Sequence, residues 1–598
     1  MNRNYRLLAF FLLLPAFAAL ATPVSIDDDS WKHPVIRPLP PIDDGRSLVP
    51  VPRTPSPGVS ITEGDDWRLP SWSQPLDDLR FYSEESSSAD HVNVHVIDIT
   101  WRQINPSPGV FSMTDSGSAA GMSFPSLQDQ LALDGSYWLR IWVTGEDWAP
   151  AWVKSDCGIT TTWLDHDGQA RHLPIWNPCV WGHVKTMFRQ LFLGWNLISD
   201  PEMLFVQVPG GFYYTEFDFD IPFKAAASGD LDFATFDSWF HQAMSELVAI
   251  ANGENSNASD DYAWKLVYTG EDYPFDTTWN GATNLFARDA VQAGMGIRNG
   301  ITELFNFHLN HTPAYGAAIG QDGHIVIDES WPLLRDKRVI GAENECYNAC
   351  GYHVSDLYYS IRLSNLKALQ MRTKRLYVVP QDSYLSSYPE HWNWVRHELG
   401  KQREDAPDAW VALRTAQDKY WIDDDSHTWN GAPWVRNLER WLVQKDVGSD
   451  GMTRRGTDHR VNEVDADNGE SWEGRQTDHT SGQDYFYFFV DDVFANDPGQ
   501  QWQLKVTYVD AGSSSWRVEY ANSSSLLESD PVPRANSGLV KTATIDLPNA
   551  RFSNGLANQA DFRIYNGGSE DLEIRFVRLV KLKPPAIQIV FTDGFESP

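Results

Sequence analysis

The chain has 598 residues, with 48 Lys and Arg against 81 Asp and Glu, a formal net charge of −33. Such a field repels nucleic-acid phosphates and anionic lipid, leaving neutral or cationic partners. The length exceeds what one hydrophobic core covers, so two or more domains are expected, one of them large.

Residues 1–21 read as an export signal: Arg3 and Arg6 supply the positive start, Leu7 to Leu20 the apolar run, and Ala19-Leu20-Ala21 a small-x-small cleavage site. The mature chain is expected to begin near Thr22 and to be secreted, periplasmic or extracellular. The apolar run is shorter than the ~20 residues of a membrane helix, and no later stretch reaches that length, so no membrane insertion is expected. Residues 22–75 are rich in Pro and Asp and read as a linker or an N-terminal wrap, with a short strand over Val59–Thr62 as an option.

From residue 76 to about 450, short β-branched or aromatic runs alternate with helical stretches. The strand candidates are Val92–Ile99, Tyr137–Val143, Met203–Val208, Trp264–Tyr268, Ala293–Ile297, Arg338–Ala342, Arg375–Val379 and Ala409–Leu413. Helices are expected over Gly182–Leu193, Phe233–Ala251 and Val354–Met371; in the second, Phe236, Phe240, Met244 and Leu247 recur at spacings of three and four. Alternating strands and helices in this number predict an α/β fold, a (β/α)8 barrel whose site lies at the carboxyl ends of the strands. A doubly wound open sheet is the rival, and no Gly-rich phosphate loop follows the first strand.

Beyond about Arg455 the pattern changes to short alternating strands, Tyr485–Val490, Gln503–Val509, Trp516–Tyr520, Lys541–Leu547, Phe562–Ile564 and Leu572–Leu582, which predict a β-sandwich over 455–583. Residues 584–598 form a tail containing Phe591-Thr592-Asp593-Gly594-Phe595-Glu596.

Cys157, Cys179, Cys346 and Cys350 in an exported chain are expected to form disulfides, paired by proximity as 157–179 and 346–350, one of three connectivities. Their spacing includes no C-x-x-C and no neighbouring His at ligand distance, which argues against zinc. The acidic strip Asp458 to Asp478 suits a structural calcium and reads equally as a solvated linker. No other cofactor is expected. His308 and His311 lack a third ligand and read as structural rather than metal-binding.

Two strand ends run into acids. Met203–Val208 leads through glycines and aromatics to Tyr214 and Glu216, and Arg338–Ala342 leads through Gly341-Ala342 to Glu343, with Glu345 as its alternate two residues on. In a barrel these remote carboxyls would face one cleft, the arrangement acetal cleavage needs: one acid to protonate the leaving oxygen, one carboxylate to attack or direct water. The 26 Trp add wide apolar faces suited to stacking on sugar rings, although each taken alone is better read as core. Arg140, Trp148, Tyr214, Tyr268, Glu271, Asp272 and Asp382 stand at or just beyond the strand candidates' ends as substrate-binding candidates.

The run Val94 to Phe111, with Trp101, Pro106 and Gly109, resembles the opening of β-galactosidase-like glycoside hydrolase barrels. Leu139-Arg140-Ile141 with Pro150-Ala-Trp152-Val153 resembles their next strand and loop. In such families the acid/base follows the fourth strand and the nucleophile the seventh, which implies Glu216 and Glu343 here. The resemblance covers roughly residues 76–450. Two departures stand against it. Thr215 precedes Glu216 where the family carries Asn, and the acids follow the third and sixth strand candidates. A further strand upstream of Val92, with Val59–Thr62 the candidate, would restore the count and leave Ala409–Leu413 outside the barrel. The expected function is a secreted glycoside hydrolase; a non-catalytic carbohydrate-binding barrel and a metal-dependent hydrolase or deacetylase are the alternatives.

Overall fold

The computed structural model describes residues 58–76, 81–82, 94–119, 121–165, 168–209, 220–254, 261–269, 285–299, 315–319, 324–335, 337–342, 357–377, 387–418, 428–429, 432–433, 437–456, 469–472 and 474–585. They form a mixed α/β molecule with a curled parallel sheet and two large antiparallel sheets.

In chain order the parallel strands are Phe81–Tyr82, Val94–Thr100, Ser136–Trp142, Met203–Val208, Leu266–Thr269, Gly296–Asn299, Ile340–Ala342 and Arg375–Tyr377. Across the sheet the second to the eighth follow in sequence, and the two-residue first strand pairs with the eighth. The two edges of the sheet are therefore the first and second strands, neighbours in the chain. At the second strand's outer edge the Gln130 carboxamide takes the place of a partner: Asp98 N–H donates to its Oε1 at 3.1 Å and its Nε2 donates to Asp98 O at 2.8 Å. An edge backbone is thereby satisfied by a side chain.

Strand assignments shift from expectation by local chemistry. Ala263–Lys265 forms a 3-10 turn and the strand starts at Leu266. The turn through Gly294, at φ 110°, delays the sixth strand to Gly296. Val59–Thr62 does not supply the missing first strand. Ser60–Glu63 pairs antiparallel with Val540–Leu547, and Phe81–Tyr82, too short to show periodicity, takes that place.

Helices cover the outer face. Asp232 caps Phe233–Ala251 by accepting from Thr235 N at 2.9 Å, and the stripe Phe236, Trp239, Phe240, Ala243, Met244 and Leu247 is buried. Pro178–Arg189 starts with Asn177 accepting from Cys179 N and Val180 N. Glu246 ties these two helices, accepting from Trp181 Nε1 at 2.6 Å and Lys185 Nζ at 2.7 Å.

One antiparallel sheet runs Ser60–Glu63, Val540–Leu547, Trp502–Val509, Glu573–Lys581, Asp408–Ala412, Leu438–Arg440; the other runs Leu442–Lys445, Tyr485–Val490, Phe562–Asn566, Ser515–Ala521, Leu526–Glu528. Their facing side chains, among them Leu504, Val506, Phe486, Phe488, Val518, Ile545 and Ile564, form a second core. Strands before residue 455 thus share sheets with strands after it, and Asp408–Ala412, the expected Ala409–Leu413 strand, belongs here rather than to the parallel sheet.

Buried ion pairs line the junction. Arg578 Nε donates to Asp408 Oδ2 at 2.7 Å, and Arg440 Nη1 donates to Glu398 Oε2 at 2.8 Å. Burial and the Asp408 carboxylate push the Glu398 carboxyl well up, while Arg440 pulls it down; burial brings the Arg440 guanidinium to about 10.

Candidate functional site

Register sorts the parallel sheet into two chemically different faces. Partners in neighbouring strands share a face and successive residues alternate. Tyr268 is aligned with Val208 and Ile297, and Ile297 with Ile340. This face meets the helices: the Tyr268 ring stands edge-on to Phe240 at 5.5 Å. The opposite face carries Asp98 aligned with Arg140, then Gln207, Thr269, and Arg298 aligned with Gly341, which is aligned in turn with Arg375. Gln207 and Thr269 are 0% exposed, Arg298 is 1% and Arg375 is 6%. Buried polar groups are costly unless they are partnered, and this face sets a row of them among the buried Trp138, Trp142, Phe205 and Val267.

Arg140 belongs to that lining, but it is committed. Its Nε and Nη2 donate to Asp98 Oδ1 and Oδ2 at 2.6 and 2.7 Å, and Trp142 Nε1 donates to the same Oδ1 at 2.8 Å. The Asp98 side chain stays 22% exposed against 6% for Arg140, so a ligand would meet the carboxylate edge of the pair.

Tyr268, expected to bind substrate, is only 4% exposed and lies on the helix side. The period of two puts Thr269, not Tyr268, on the polar face. Trp148 was expected to stack on sugar. It is fully buried, edge-on to Trp142 at 5.2 Å and to His172 at 5.4 Å. Gly145 makes the room, since a Cβ there would come within 2.1 Å of the indole. Behind it His172 Nδ1 meets Thr144 Oγ1 at 2.9 Å, and its Nε2 stands 3.5 Å from Asp165. Burial raises the Asp165 carboxyl, but His172 and the N–H groups of Gln169 and Ala170 outweigh it and hold it below its usual range. Trp148 is therefore the buttress of a loop.

That loop borders an open pocket of about 530 Å³ beyond the second and third strands, lined by Arg102, Ser118, Met122, Ser123 and Asp147 among others. The hairpin that lines it is fixed by a capping box. Thr100 accepts from Gln103 N, Gln103 Oε1 accepts from Thr100 N, and Gln103 Nε2 donates to Phe124 O to fix the hairpin Gly117–Phe124. Arg102 and Asp147, both exposed, give it one charge of each sign.

Glu216, Glu343, Glu345, Tyr214, Glu271, Asp272 and Asp382 lie outside the described residues, as do His308, His311, Cys346 and Cys350. In chain order Glu216 follows the fourth parallel strand and Glu343 directly follows the seventh. Asp478, at the end of the acidic strip, spends its carboxylate on Thr480 and Ser481 in a 3-10 turn.

Asp98, Gln207, Thr269, Arg298 and Arg375 escaped the sequence reading. Their signal was present, a polar or charged residue at an inner position of a short strand, as Asp98 in VHVIDIT, Gln207 in MLFVQV and Arg298 in GIRN. Gly341 also acquires a reason: a Cβ there would press within 2.9 Å of the Arg298 side chain. Cys157 and Cys179 form the expected disulfide. No protein-family model and no curated protein matches the chain.

Proposed function

We propose that the chain is an exported glycoside hydrolase, with Glu216 as acid/base and Glu343 as nucleophile, acting on neutral oligo- or polysaccharide. The observation that carries this reading is the row of polar side chains interleaved with aromatic ones on the face of the parallel sheet opposite its helix-packed face, from Asp98 and Arg140 to Gln207, Thr269, Arg298 and Arg375. Strand order supports it. The first strand beside the eighth is the order of a closed (β/α)8 barrel, and closure between the first and second strands completes the proposal.

The two glutamates then follow the fourth and seventh strands. Three strand steps of about 4.8 Å make an arc of about 14 Å. Curl shortens that arc, and two inward side chains reduce it toward the ~5 Å of retaining or the ~6.5–9.5 Å of inverting glycosidases. The alternation that sets Gly341 on the polar face gives positions 343 and 345 the same face while the strand continues. For cleavage, one carboxyl stays protonated to donate to the leaving oxygen while the other, ionised, attacks the anomeric carbon; mutual repulsion in a shared cleft keeps their pKa values apart. Export rests on Arg3, Arg6 and the Leu7–Leu20 run. No helix among the described residues is long and apolar enough to cross a membrane.

The test is turnover, read as release of reducing ends from a glycan panel. Glu216→Gln and Glu343→Gln should each fall by about 10³-fold or more with folding intact; full activity in either removes that residue from the mechanism. Thr215, in the place of the Asn that resembling enzymes use at the sugar 2-hydroxyl, favours one second reading, a barrel that binds glycan without cleaving it. Binding with no release of reducing ends by the unmodified chain would select that reading.

A further inference from the structure

Outside the sheet's polar face, four side chains of ligand type converge where two helices meet. Helix Ala151–Asp156 ends at Cys157, and helix Pro178–Arg189 begins two residues before Val180 with Cys179 in its first turn. The sulfurs of Cys157 and Cys179, one oxygen of Asp156 and one ring nitrogen of His183 all lie within 4.8 Å of one another. The sequence spacing argued against such a site, but residues four apart on a helix share a face, and this sets His183 beside Cys179. His183 Nε2 is 2.8 Å from Asp156 Oδ2, and its ring is held edge-on by Trp152 at 4.8 Å. Cys179 and Asp156 are exposed, so the cluster is open to solvent.

We propose that, once the Cys157–Cys179 bond is reduced, these four side chains bind one zinc-class divalent ion. Two thiolates, an imidazole and a carboxylate are the donor set that borderline-soft Zn²⁺ takes in four-coordinate sites. At bond lengths of about 2.0–2.3 Å, tetrahedral ligand atoms stand about 3.3–3.8 Å apart, so small side-chain rotations from the present cluster suffice. The Cα atoms of the two cysteines are 5.6 Å apart and need not move. The positive end of helix Pro178–Arg189 favours the Cys179 thiolate.

The chemistry is a competition for two sulfurs. A phosphine and one water convert the disulfide to two thiols, with the phosphine leaving as its oxide. The thiols then give two protons to solvent as their thiolates take the ion. Exchange with an added small-molecule disulfide, which takes up the two electrons and two protons and leaves as two thiols, re-forms the S–S bond and expels the ion, so disulfide and metal exclude each other.

The experiment is a Co²⁺ titration of the full chain before and after phosphine reduction, followed by displacement with Zn²⁺. The reduced chain should bind one equivalent with an intense thiolate-to-cobalt charge-transfer band and the visible bands of four-coordinate cobalt, and the oxidised chain should show neither. His183→Ala, which keeps every cysteine, should weaken Co²⁺ binding at least tenfold, and Cys157→Ser should remove most of the charge-transfer intensity. A Cys346→Ser/Cys350→Ser variant should keep the band. The proposal is overturned if the reduced chain unfolds or shows no band. It is equally overturned if His183→Ala and Cys157→Ser leave the band and affinity intact, or if the Cys346→Ser/Cys350→Ser variant alone loses it.

Discussion

The parallel sheet and the antiparallel sandwich bury opposite kinds of surface. In the sandwich the facing sides of both sheets are apolar, with Phe486, Phe488, Leu504, Val506 and Ile545 meeting in one core. In the parallel sheet the apolar side faces the helices, and the other side buries Gln207, Thr269, Arg298 and Arg375. A protein built only for stability would fill both with hydrocarbon, since buried polar groups rarely repay their desolvation. Under the proposed function, the difference separates the region that holds the fold together from the region that a ligand would meet.

Four substitutions break or sharpen that contrast. Phe488→Ala, in the sandwich core against Phe562 at 4.7 Å, should cost about 3–5 kcal/mol in denaturant unfolding while leaving activity per folded molecule unchanged. Arg298→Met should do the reverse. We expect turnover or KM to worsen by about 100-fold, equivalent to about 2.7 kcal/mol, with a smaller change in stability than Phe488→Ala brings. Equal loss of stability in both would erase the contrast.

Asp561 tests the sandwich by pH. Burial, aided by Asp492, holds its carboxyl at about 6 although Val490 N–H and Asn554 N–H both donate to it. Because the folded value lies above the usual 3.8, its contribution is full below about pH 4 and lost as pH rises through about 6. The span amounts to about 2–3 kcal/mol. Asp561→Asn should flatten the stability profile across that window, and an unchanged slope would contradict the assignment. The smallest effect is expected for Tyr268→Phe. Lying on the helix side, it should shift KM by less than about twofold; a large rise in KM would return Tyr268 to the substrate site.

Much of this was legible in the sequence where periodicity is strong. Tyr485–Val490 and Phe233–Ala251 have the expected bounds because the aromatic run YFYFFV and the three-four stripe are each long enough to be read. The first parallel strand, two residues long, offers no period, and pairing alone defines it. Trp148 is seated over Gly145, and strand-end position does not distinguish such an indole from one aimed at solvent. Tyr268 and Thr269 lie on opposite faces, since a step of one residue exchanges the faces of a strand, and no period of the short run picks between them. His183 was missed as a neighbour of Cys157 because helix–helix packing, not spacing, brings them together.

The central claim is that Glu216 and Glu343 share one cleft on the sheet's polar side. A crystal structure of the full chain with a bound oligosaccharide measures it directly. The account predicts two carboxyl groups about 5–9.5 Å apart flanking one glycosidic oxygen, whereas carboxyls directed at different surfaces, or a sugar bound away from both, would contradict it.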